Sequence, residues 1–170
     1  EIISIRHLPV FIFIFLFGIL LSAISLPSDK TRVKVRGAGA FVKVLCSPGV
    51  LLFFIVMALL QVSHGVYYTF YSIYLEGFGY TRSLIGALWA LGVVAEILIF
   101  IKMPALFARF TLHRLLQFTL LLTAARWWVI GWFPESAILM TGIQLLHAFS
   151  FGVAHAIAIE FVRIKFAGKG

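Results

Sequence analysis

The sequence predicts an all-α, polytopic membrane bundle, and three observations carry that prediction. Of 170 residues, 62% are hydrophobic and only 12% are charged, against about 45–50% and 25% in ordinary soluble domains. Apolar runs of about 18 residues or more recur along the chain, the length a helix needs to cross a bilayer core. The basic residues that give the net charge of +8 fall mainly in the gaps between those runs.

Five runs are predicted to span. The first covers 8–26, "LPVFIFIFLFGILLSAISL", and is closed by Pro27. The second covers 49–75, opened by "SPG". The third covers 83–103 and is expected to stop at Pro104. The fourth covers 112–133 and ends at "FPES". The fifth covers 136–159. The first run lacks a small-residue cleavage site and leads straight into a basic segment, so it reads as a span and not a signal peptide.

Loop charge sets the orientation. Residues 28–43 hold Lys30, Arg32, Lys34, Arg36 and Lys43 against Asp29. Residues 102–114 hold Lys102, Arg109 and Arg114, and the last segment, 163–170, holds Arg163, Lys165 and Lys169. Five spans put all three on one side, which the excess of Lys and Arg assigns to the cytoplasm of a cell (inner) membrane. That reading also accounts for the net charge without a nucleic-acid partner. The single cysteine, Cys46, excludes an internal disulfide and is expected to be a small packing residue. No His or Glu spacing fits a metal pair, so neither metal nor cofactor is expected. The chain opens on Glu1, without Met, and stops at "FAGKG". It is expected to be a segment of a longer protein and not transport-competent alone.

Polar residues inside the spans carry the functional reading. A charge at the centre of a bilayer costs about 3 kcal/mol on insertion scales, so such residues tend to face a cavity or one another. In the second span Gln61, His64, Tyr68, Tyr71 and Ser72 share a helical face by spacing, as do Gln144, His147, Phe151 and His155 in the fifth. In the third, Trp89, Gly92 and Glu96 lie at i, i+3, i+7. Glu96 sits too deep and is too short to reach the interface. Arg126 lies in the fourth span beside Trp127, Trp128 and Trp132, which are expected to be interfacial belt residues; snorkelling of Arg126 to the same interface is the plain alternative to a cavity role.

The stretches "LLQVSHGVYYTFYSIYLEGFGYTRSLIGALWALGVVAEILIF" (59–100), "AARWWVIGW" (124–132) and "IQLLHAFSFGVAHA" (143–156) resemble the phenylpropionate permease family of the major facilitator superfamily, relatives of the lactose and nucleoside proton symporters. The resemblance implies a twelve-span fold of two six-helix bundles. Residues 1–27 would be the last span of the N-terminal bundle, 28–48 the central cytoplasmic loop, and 49–170 part of the C-terminal bundle with four spans. The rest of the N-terminal bundle would be the missing partner. In the related lactose permeases, proton coupling and sugar binding use a Glu in the eighth span, an Arg in the ninth, and a His and a Glu in the tenth. Glu96, Arg126 and His147 resemble the first three; Ser150 stands where the last Glu would fall.

The resemblance therefore implies proton-coupled symport of a small organic solute by alternating access, with an aromatic carboxylate favoured over a sugar or nucleoside. Glu96, Arg126 and His147 would serve proton coupling, with Arg126 moving toward and away from Glu96. Gln61, His64, Tyr68, Tyr71, Trp89, Gln144, Phe151 and His155 would line the substrate site. The rival class is a non-transporting sensor or membrane-embedded enzyme, and an enzyme would need tighter nucleophile or metal spacing than this chain offers.

Overall fold

The computed structural model describes residues 38–167, with Ile14, Phe17 and Leu21 before them. The chain divides into two units, Glu1–Lys34 and Val35–Gly170. In the first, the three described residues are helical with exposed side chains. The predicted span 8–26 and the basic residues before Lys43 otherwise lie outside the described residues.

Among the described residues the second unit is helical throughout. A short helix α1 (Ala38–Leu45) leads into four long ones: α2 (Pro48–Gly77), α3 (Arg82–Arg109), α4 (Leu112–Trp132) and α5 (Ala137–Phe166). All four long helices are long and apolar enough to cross a membrane. With 30 residues each, α2 and α5 extend about 45 Å. The 28–48 segment is thus not all loop, because α1 occupies part of it. Cys46 lies exposed in the turn after α1, not packed as expected.

Local chemistry sets the boundaries. Pro48 opens α2, where its missing N–H costs nothing. Thr81, Thr111 and Ser136 cap α3, α4 and α5 by accepting from the backbone N–H of Leu84, Arg114 and Leu139. Gly79 adopts φ +83° in the tight turn between α2 and α3, a conformation that favours glycine. Two expected ends are corrected. Pro104 sits inside α3, which runs on to Arg109. Proline removes one backbone donor, and membrane helices tolerate that where neighbouring groups re-satisfy the freed carbonyl. The fifth span also outruns 159, and two π-helical stretches, Ala148–Val153 and Arg163–Ala167, interrupt its α-helical course.

Helix α5 packs against both α3 and α4. Near the α2–α3 turn, Tyr67, Tyr71, Leu75, Ile85, Leu88, Ile130, Met140 and Ile143 form one apolar cluster. There the Tyr80 hydroxyl donates to the Pro134 carbonyl, tying the two turns of that end together. A second cluster, Phe53, Met103, Leu115, Val153 and Ile157, lies toward the opposite end, where the rings of Phe53 and Phe161 stack. Lys43, the turn between Arg109 and Leu112, and Arg163 belong to that end, so its basic character is structural as well as sequential. Buried polar residues fill the layer between the clusters: His64, Thr119, Thr123, Arg126, Gln144, His147 and Ser150.

Candidate functional site

The polar layer is built by one short stretch from each long helix. Glu96 lies near the midpoint of α3, and one of its carboxylate oxygens is 2.7 Å from His147 Nε2. The Tyr68 hydroxyl is 3.3 Å from the same nitrogen. Arg126 is wholly buried, at 0% exposure, which removes the snorkelling alternative. Its guanidinium stacks over Tyr67 at 4.2 Å and Trp127 at 4.8 Å, a favourable cation–π arrangement in a dry site. Its Nη1 donates to Ser150 Oγ at 3.4 Å, while Nε and Nη2 have no hydrogen-bond partner among the described residues.

Glu96 pairs directly with His147, and Arg126 directly with Ser150, the residue at the position of the absent second acid. In this arrangement Glu96 and Arg126 are linked through the α5 side chains His147 and Ser150. Trp127 is also not simply a belt residue. Its ring lies 5.4 Å from His64 and it packs on Arg126, whereas Trp128 and Trp132 are exposed as a belt requires.

Glycine makes the close packing possible. A Cβ on Gly92 would lie 3.3 Å from Gln144 Oε1 and 3.4 Å from His147 Cδ2. The gap expected on the Trp89–Gly92–Glu96 face is thus filled by α5 side chains. A Cβ on Gly152 would meet Ile99 at 3.1 Å, and Glu96 Cγ at 3.6 Å. The π-helical stretch that contains Gly152 inserts a residue between His147 and His155. Such insertions turn the later part of a helix relative to the earlier part and often occur at functional sites. The rings of His147, Phe151 and His155 nevertheless stack in succession at 5.5 and 6.3 Å, as the expected face requires, with Gln144 and His147 buried and His155 exposed.

The α2 stripe is displaced. The buried face carries His64, Tyr67, Tyr71 and Leu75. Gln61 and Tyr68 are exposed, with Tyr68 at 42%. Tyr67, absent from the expected site, is central to it: its hydroxyl donates to Gln144 Oε1 at 2.9 Å, and Gln144 Nε2 donates to the Tyr71 hydroxyl at 2.6 Å. Its i, i+3 spacing from His64 was the available signal. Tyr68 instead forms an aromatic shelf on the open face. Its ring stacks with Trp89 at 5.7 Å and meets Phe151 edge-on at the same distance. Trp89 Nε1 donates to Ser72 Oγ, which fixes the indole. Gln61, His64, Ser150, Phe151 and His155 line a cavity of about 230 Å³ between α2 and α5.

These features define a multi-pass α-helical membrane protein whose bundle encloses a polar, ionisable centre. All of residues 1–170 match the model of the MFS_1 like family, and the chain belongs to that family. Over 109 residues it is 36% identical to the "Probable 3-phenylpropionic acid transporter" of Escherichia coli (strain K12), an overlap of 64% of this chain and 28% of that protein. The chain therefore spans well under a third of that relative's length. No solved structure matches. The family match and the relative bear out the resemblance read from the sequence.

Proposed function

We propose that this chain is part of a secondary active transporter that moves a small organic carboxylate together with a proton by alternating access. The observation that carries the reading is the Glu96–His147 contact at 2.7 Å, set near mid-helix beside a fully buried arginine. Ionisable groups at such depth are costly and mark substrate or proton pathways in membrane bundles. The Tyr68–Trp89 shelf beside it supports an aromatic substrate, since stacked rings offer a flat apolar face. The acid in the name of the relative, a probable 3-phenylpropionic acid transporter, has both a ring and a carboxylate. Arg126 supplies the cation that would recognise the carboxylate once its cover of side chains opens.

In this reading the basic end of the bundle, with Lys43, Arg109, Arg114 and Arg163, faces the cytoplasm, and the remaining helices of the fold close the open face of Tyr68 and Trp89. The test is uptake of radiolabelled 3-phenylpropionate into proteoliposomes containing the intact transporter. Uptake driven by an acid-outside pH gradient and abolished by a protonophore is expected. Uptake indifferent to both would contradict proton coupling, and no uptake with any aromatic acid would contradict the substrate class.

A further inference from the structure

Two histidines in the polar layer each have one nitrogen engaged and one without a partner among the described residues. His64 Nδ1 lies 2.9 Å from the Leu60 carbonyl. A carbonyl only accepts, so Nδ1 carries the hydrogen and the neutral ring keeps its lone pair on Nε2. That Nε2 is buried and has no hydrogen-bond partner among the described residues. His147 engages Glu96 through Nε2, and its Nδ1 is the buried atom without a partner. The two ring centroids are 5.9 Å apart, and both rings pack on Phe151 at 5.5 Å. The two unpartnered nitrogens do not bond each other in this closed arrangement, and the ring spacing leaves one water molecule, admitted as the layer opens, to bridge them.

His64 also lines the 230 Å³ cavity with Gln61, Ser150 and His155. Met57, Leu60 and Ala158 complete its lining toward the basic end of the bundle. Glu96, by contrast, is only partly buried and shares its helical face with Trp89, toward the other end. Among the described residues the Glu96–His147 pair does not line the cavity, and His64 stands between them, its ring beside that of His147 and on the cavity wall.

We propose that His64 is a proton carrier that connects the Glu96–His147 pair to the cavity at the basic end. The proposal rests on the proton-coupled reading above and adds the route by which the proton leaves. The step balances as follows. The Glu96 O–H bond breaks as His147 Nε2–H forms. His147 Nδ1–H breaks, through the bridging water, as His64 Nε2–H forms. Glu96 is then a carboxylate, His147 is neutral, and His64 is an imidazolium that releases the proton from the same Nε2 once the layer opens and that buried atom meets cavity water. Its Nδ1 hydrogen bond to Leu60 is kept throughout, so the ring need not rotate.

The ionisable groups around His64 favour passage over storage. Tyr68 faces it from its own helix, Arg126 from α4, and His147 from α5, with Glu96 of α3 behind His147 and His155 on the same cavity. Arg126 keeps a fixed positive charge beside the route, so a proton passing over His64 faces a like charge. Glu96 regains its negative charge in the same step and offsets the cation left behind.

The test compares two activities of the intact, reconstituted transporter. One is 3-phenylpropionate uptake driven by a pH gradient, which requires net proton release. The other is counterflow of the same solute at equal pH, which does not. In His64→Gln and His64→Phe the ratio of gradient-driven uptake to counterflow is expected to fall about a hundredfold or more, the scale at which a positioned proton-transfer group contributes. Gln keeps polarity and Phe keeps bulk, but neither carries a proton. An unchanged ratio in both variants overturns the relay while leaving proton coupling intact, and so does a ratio restored by Gln, which would make His64 a positioning residue. If the unmodified protein shows no gradient-driven uptake, the coupling reading itself fails, and the relay with it.

Discussion

Two carboxylates in this chain meet the cost of charge in opposite ways. Near the basic end of α5, Arg163 Nε donates to Glu160 at 2.7 Å and Nη2 donates to the other carboxylate oxygen. Acid and base lie three residues apart on one helix, in a fork that satisfies both with Arg163 exposed. Near the middle of α3, Glu96 reaches only a histidine, and the nearby arginine is bound to a serine and two aromatic faces. The first pair is complete in itself and has nothing left to offer a ligand. The second leaves two guanidinium nitrogens of Arg126 and one ring nitrogen each of His64 and His147 without a partner among the described residues. Under-satisfied buried groups cost about 1–3 kcal/mol each, so their retention marks the central layer as the part of the bundle shaped by something other than stability.

The sharpest way to break the contrast is Arg126→Ala. It removes the one buried cation among the described residues, and 3-phenylpropionate uptake is expected to fall about a hundredfold, the equivalent of losing one or two charge-assisted hydrogen bonds at about 1.5–3 kcal/mol each. Uptake within a few-fold of the unmodified protein would return Arg126 to a packing role. Next in size is Gly92→Val. Even a Cβ there meets Gln144 and His147 at 3.3 and 3.4 Å, and the added methyls should cost about 1–3 kcal/mol by overpacking. Thermal unfolding in detergent should show the loss, together with weaker uptake. Tyr67→Phe keeps the ring over Arg126 but removes the donor to Gln144; a cost near 1 kcal/mol and a few-fold drop in uptake are expected. Glu160→Gln should change neither, because an exposed ion pair contributes little.

Much of the fold was legible because membrane insertion writes it in one variable, hydropathy over a helix length. The second to fifth runs all begin within a residue of the observed helices, the second at Pro48 and the other three at Ser or Thr caps. Pro104 misled because a proline reads as a stop in soluble helices, whereas here α3 runs through it. The π-helical turns left no pattern in the residues, since an inserted residue changes register without changing composition. At the site, Glu96, Arg126 and His147 were legible as charges or rings at a depth where water is absent. Their pairing was not, because it depends on how α3, α4 and α5 rotate against one another. The stripe anchored on Gln61 favoured Tyr68 over Tyr67, although His64, Tyr67 and Tyr71 form an equally regular face. Both tyrosines matter, one inside the layer and one on its open surface.

The most direct measurement is pH-gradient-driven uptake of 3-phenylpropionate by Glu96→Gln and Glu160→Gln side by side in proteoliposomes. The account predicts that Glu96→Gln loses the response to the gradient while Glu160→Gln keeps it. A Glu96→Gln transporter that still follows the gradient as the unmodified protein does would contradict the assignment of proton coupling to the central layer.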